Sequence, residues 1–239
     1  MVPESRIVKP VGTVVLPGFE RFVHRLKEFT AKGVDNLGMD LLIPLLFFAF
    51  GAFVLKNTEQ RQRIAWLGAI LGPIKLEKSM ETLATGYMRA LAETDPERSG
   101  PIWRMLESTE TTLVQQLERL AKDIQAMAPP QARISRWPLA LPMTTRLFPD
   151  STFDLRETFQ IHAKGFAQGV ANAEGLSRKS QARRLLAEMF LFQHTCHWYC
   201  RSKSVASARL MVRHQTTYEQ ALALVSPQTR QAYTALLTD

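Results

Sequence analysis

Between Asp40 and Lys56 the chain is apolar and carries no charged side chain: LLIPLLFFAFGAFVL, Leu41 to Leu55. With Gly38 and Met39 the stretch reaches about 18 residues, the length at which a helix begins to cross a hydrocarbon core of about 30 Å. It contains Pro44 and Gly51. These are poor residues inside a water-soluble helix, but membrane helices tolerate them because neighbouring groups re-satisfy the freed backbone. The pattern predicts one transmembrane helix, with a buried core helix as the alternative reading. No small-residue cleavage site follows, so the segment is expected to stay as an anchor.

The flanks differ in pattern. Residues 1–17 hold three prolines and a short β-branched patch at Thr13, Val14 and Val15, which suggests extended chain. Phe19, Phe22, Val23, Leu26 and Phe29 then recur at three- and four-residue steps, with Arg21, Arg25 and Lys27 mostly on the other side. That is an amphipathic helix suited to a lipid interface or to packing on protein. After the run comes the polar KNTEQRQR, then a second apolar stretch from Ile64 to Leu76. It is too short to cross alone. Gly68, Gly72 and Pro73 mark it as a re-entrant or interfacial piece, or as the arm of a hairpin inside a soluble core.

From Glu77 onward the period is helical. One helix is expected to end before Asp95-Pro96. Ser99-Gly100-Pro101 then reads as the start of a long helix running to Pro129. Its positions Ile102, Leu106, Thr109, Leu113, Leu117, Leu120, Ile124 and Met127 form a near-heptad seam, fit for its own bundle or for a second copy. Pro129, Pro130, Pro138, Pro142 and Pro149 exclude a regular helix, so residues 129–150 read as a surface linker. Its Trp137, Leu139, Leu141 and Leu147 are too apolar to hang free and are expected to dock on protein or lipid.

Ser151 or Thr152 is the expected cap of the next helix, ending near Gly175, and Ser177 caps a helix from about Arg178 to Cys200. That helix is apolar nearly all round, as a central buried helix should be. A further helix follows through SVASARLMVRHQTTYEQALALV, and Ser226-Pro227 starts a last one. The expected fold is all-α: an amphipathic N-terminal helix, one transmembrane helix, a candidate re-entrant segment, then a helical bundle in two halves. The regions are 1–76 (anchoring), 77–128 (helical hairpin), 129–150 (linker) and 151–239 (basic helical domain).

Charge sharpens this picture. The net charge is +8, and residues 131–214 hold 13 Lys or Arg against 5 Asp or Glu. A basic balance points to an acidic partner such as nucleic acid, anionic lipid or an acidic protein surface. It also suits a cytoplasmic side next to a membrane span. The candidate partner-binding residues are Arg178, Lys179, Arg183, Arg184, Arg201, Lys203, Arg209 and Arg213. The first four crowd the start of a helix, against its macrodipole, which suggests that they serve a partner. VANAEGLSRKSQARRLL around Gly175 also has a weak helix–turn–helix look.

Two cysteines make no disulfide framework. Cys196 and Cys200 with His197 are weak metal candidates, one helix turn apart. A tetrahedral zinc site would need further ligands, such as His162 or His214. No phosphate loop, nucleophile elbow or metalloprotease motif occurs. The expected function is a non-enzymatic, membrane-anchored adaptor or scaffold subunit, without cofactor, within a larger membrane assembly. A secretion or DNA-transfer apparatus is one example. A soluble helical nucleic-acid-binding protein is the alternative.

Overall fold

The computed structural model describes residues 36–238. The amphipathic helix expected around residues 19–29 lies outside them. Among the described residues the chain is mostly helical, with nine α-helices and one small β-ribbon. It divides into two compact units, residues 1–51 and 52–239.

The first helix, α1, runs unbroken from Asn36 to Leu71 and contains Pro44. It unites three pieces that the pattern separates: the apolar run, KNTEQRQR and the first half of the second apolar stretch. Among the described residues it is the one helix long and apolar enough to cross a membrane. Its apolar side chains are exposed, with Phe47 at 73% and Phe48 at 76%. The second stretch does not form a separate re-entrant element. It ends α1, makes a 3₁₀ turn at Gly72–Ile74, and sends Leu67, Ile74 and Leu76 into the core of the helical unit.

Helix α2 (Leu76–Ala92) and α3 (Pro96–Asp123) form a hairpin. The long helix starts earlier than Pro101, because the Asp95 carboxylate caps it by accepting from Glu97 N–H. Pro96 takes the first turn, and Pro101 is accommodated one turn later. The seam of Leu106, Leu113, Leu117, Leu120 and Ile124 is buried within the chain's own core.

A 3₁₀ turn at Ile124–Ala126 leads into the proline-rich segment, which is tied down. Strand β1 (Arg133–Ser135) pairs antiparallel with β2 (Thr152–Asp154), with Ile134 opposite Phe153. Each strand is three residues long, too short for alternation to show in the sequence. Between them lies a single-turn helix, α4 (Thr144–Leu147). Asp154, not Ser151 or Thr152, caps α5 (Leu155–Ala171) by accepting from Arg156 N–H.

Helix α6 (Arg178–Cys200) is the central one, capped by Ser177 and packed by α2, α5, β1 and the C-terminal helices. The next stretch breaks into two helices, α7 (Lys203–His214) and α8 (Tyr218–Leu224). Gln215 adopts the left-handed conformation, and Thr217 with Gln220 forms a capping box. Helix α9 (Pro227–Thr238) closes the unit against α5. One hydrophobic core runs through α2, α3, α5 and α6, and a smaller cluster joins α6 to the C-terminal helices.

Candidate partner-binding surface

The basic residues differ in how far the chain itself engages them. Arg178 turns inward: its Nη2 donates to Glu110 Oε1 at 2.7 Å, and its guanidinium lies over the Trp103 ring. Glu110 is buried on α3, and the Tyr87 hydroxyl donates to the same oxygen at 2.7 Å. A buried carboxylate needs a counter-charge and hydrogen bonds, and Arg178 supplies both. Lys179 donates to the Glu93 carbonyl, and Arg184 pairs with Glu174 at 2.8 Å. These contacts answer for three of the four charges at the start of α6, so their place against the macrodipole is explained within the chain. Most of α6 is buried, from Gln181 and Ala182 through Trp198 and Tyr199, which leaves it little free face as a recognition helix.

The second group is also partly engaged. Arg201 Nη1 donates to Gln60 Oε1 at 2.8 Å. The Lys203 ammonium sits over the rings of Trp198 and Tyr218, at 5.2 and 4.9 Å from their centroids. Such cation–π contacts hold a charge in place without neutralising it.

Arg183, Arg209 and Arg213 remain exposed. The last two belong to α7, whose outer face is the most distinctive open surface of the helical unit. Ser202 caps α7 by accepting from Val205 N–H, while Ala206 and Leu210 anchor its inner face. At 3.6 residues per turn, Val205, Ala208, Arg209 and Val212 then share the outer face. Val212 is 78% exposed. A shallow groove beside this row is lined by His197, Val205, Ala208, Arg209, Val212 and Arg213. Arg209 Nη1 lies 3.1 Å from His197 Nδ1. Partial burial, then Arg209 and Arg213, lower the His197 pKa, so the neutral ring accepts this hydrogen bond. One donor of Arg209 is thereby engaged, and the exposed side chain keeps further donors that suit a carboxylate or phosphate.

The cysteines lie in apolar surroundings. Burial pushes the Cys196 thiol well above its ordinary value and Cys200 up to about 11. A thiol held protonated is a poor nucleophile and ligand. Among the described residues no three His, Cys, Asp or Glu side chains converge as a metal site, and Cys196, His197 and Cys200 are no exception. His162 instead meets Thr195 Oγ1 at 2.9 Å, and His214 meets Gln193 at 2.9 Å.

Sequence reasoning missed a second cluster, on the polar part of α1. Glu59 accepts the Met143 N–H at 3.0 and 3.2 Å through its two oxygens. Gln60 Nε2 reaches the Arg201 carbonyl, and Arg63 reaches the Tyr199 carbonyl at 3.2 Å. Only the four-residue spacing of Glu59 and Arg63 hinted at a shared face. Compared with known proteins, the chain matches no family model, no curated protein and no solved structure.

Proposed function

We propose that the chain is a non-catalytic, membrane-anchored adaptor or scaffold subunit of a larger membrane assembly. The observation that carries this reading is α1. It is long, and its apolar stretch exposes phenylalanines and leucines that water would not favour. In this reading residues 41–55 lie in lipid. The helical unit stands on the cytoplasmic side and offers α7, with its valines and Arg209 and Arg213, to an acidic surface of another subunit. A mixed apolar and arginine-bearing face suits protein recognition better than a uniformly charged one would. A secretion or DNA-transfer apparatus is one setting that would need such a subunit.

Membrane fractionation tests the reading. The protein should stay in the pellet through high salt and alkaline carbonate and leave it only with detergent. Release by carbonate alone would overturn it. The alternative, a soluble nucleic-acid-binding protein, draws on exposed Arg183, Arg209 and Arg213 and the net charge of +8. It requires DNA or RNA binding that weakens steeply with salt, and replacing Arg209 and Arg213 should flatten that slope.

A further inference from the structure

The proline-rich segment between the two strands is built inside out. Several of its polar atoms are fixed by hydrogen bonds. The Pro138 carbonyl accepts from both the N–H and the hydroxyl of Ser204, at 3.1 and 2.9 Å. The Met143 N–H goes to Glu59, and Thr144 Oγ1 donates to the Leu141 carbonyl at 2.8 Å. Arg63 Nη2 reaches Thr145 Oγ1 at 3.4 Å. Four of its apolar side chains face out: Leu139 is 64% exposed, Leu141 51% and Leu147 63%, with Phe148 also exposed and packed at a tilt against Trp137. A backbone held at so many points fixes where these side chains stand, and each remains unburied.

Position supplies the reason. Glu59 lies four residues beyond Leu55, the end of the apolar run, about 6 Å along the helix axis. Lys56, Leu139 and Leu141 line the same cleft. Phe53, Val54 and Leu55, just before it, are exposed as well. The out-turned leucines therefore sit beside α1 at the level where its side chains change from apolar to polar. Arg146 stands exposed in the same segment, placed for a lipid phosphate.

We propose that residues 137–148 form a second, peripheral membrane contact, with Leu139 and Leu141 entering the boundary between headgroups and acyl chains beside α1. This rests on the reading of α1 as a membrane helix. Leucines at that depth gain the apolar surroundings they lack in water.

Photocrosslinking of the full chain tests this. p-Benzoylphenylalanine is placed singly at Leu139, Leu141, Phe47 or Ser108, and the protein is reconstituted into vesicles of phosphatidylcholine and phosphatidylglycerol. All four positions are exposed, so the probe does not disturb the core. Lipid adducts at 139 and 141, with yields comparable to position 47 and absent at 108, are expected. Adducts at 47 without any at 139 or 141 overturn the second contact and leave the anchor standing. Adducts at 139 and 141 without any at 47 remove the anchor, and with it a second contact beside α1. Crosslinks from 139 or 141 to another copy of the chain also overturn the proposal.

Discussion

Glu188 is the residue with the most to say about pH. It is buried on α6, its Oε1 accepts the Ser226 N–H at 3.0 Å, and burial raises it to about 7. Ser226, Thr229 and Arg184, which face it, pull only part of the way back. The folded state thus holds a proton that the unfolded chain releases near 4.5, so stability falls as pH rises from 4.5 to about 7, by about 3 kcal/mol in all, and is level above that. His162 and His194 act from the other side. Burial depresses each to about 3, so the unfolded chain binds protons below 6.5 that the folded chain refuses. Each removes about 1.4 kcal/mol per pH unit as pH drops. Thermal unfolding in detergent should therefore peak near about pH 6.5, and Glu188→Gln should abolish the loss on the alkaline side.

Two further residues carry stability in testable ways. Gly165 on α5 leaves room for Thr229 and the Glu188 carboxyl, which a Cβ would strike. Gly165→Ala should destabilise the protein by about 1–3 kcal/mol despite its better helix propensity. Arg178→Met strands the buried Glu110 carboxylate with Tyr87 alone. Its cost should be about 3 kcal/mol, at the low end for a broken buried pair because Arg178 is partly exposed. Chemical denaturation of each variant measures both effects.

At the scale of elements, α7 is where binding is expected. Arg209→Glu with Arg213→Glu should weaken association with an acidic partner by tenfold or more, roughly 1.4 kcal/mol or more, and leave unfolding almost unchanged, because both side chains are exposed. Pull-down from detergent extracts with either form checks it. Arg178 and Arg184 would have been poor choices for that test, although the sequence makes them look equally free.

That contrast marks what a sequence discloses. Periodicity exposed α6 as the central helix, and cap chemistry exposed Ser177 and the Ser226-Pro227 start, because these signals are local. Which arginine meets a buried acid depends on contacts tens of residues away, so no local pattern announces it. The unity of α1 was hidden for a similar reason. KNTEQRQR is polar and reads as a break, yet Glu59, Gln60 and Arg63 are polar because they hold residues 143–145 and 199–201. The β-ribbon escaped because three-residue strands carry too little alternation to see.

For the whole molecule, one core means that the helical unit should unfold as one. Thermal melts followed by tryptophan fluorescence and by circular dichroism should coincide, with no separate transition for residues 77–128. Two transitions would show instead that the hairpin is an independent domain.

The bond between Arg178 and Glu110 also sets an order of events during synthesis. Their positions lie 68 residues apart, so a ribosome delivers the acid several seconds before the base. Until then α3 carries a carboxylate that cannot be enclosed without its counter-charge, although α2 and α5, the helices it packs on, are already made. A nascent chain halted before residue 178 should accordingly recruit chaperones and yield to protease, while one long enough to release α6 should resist.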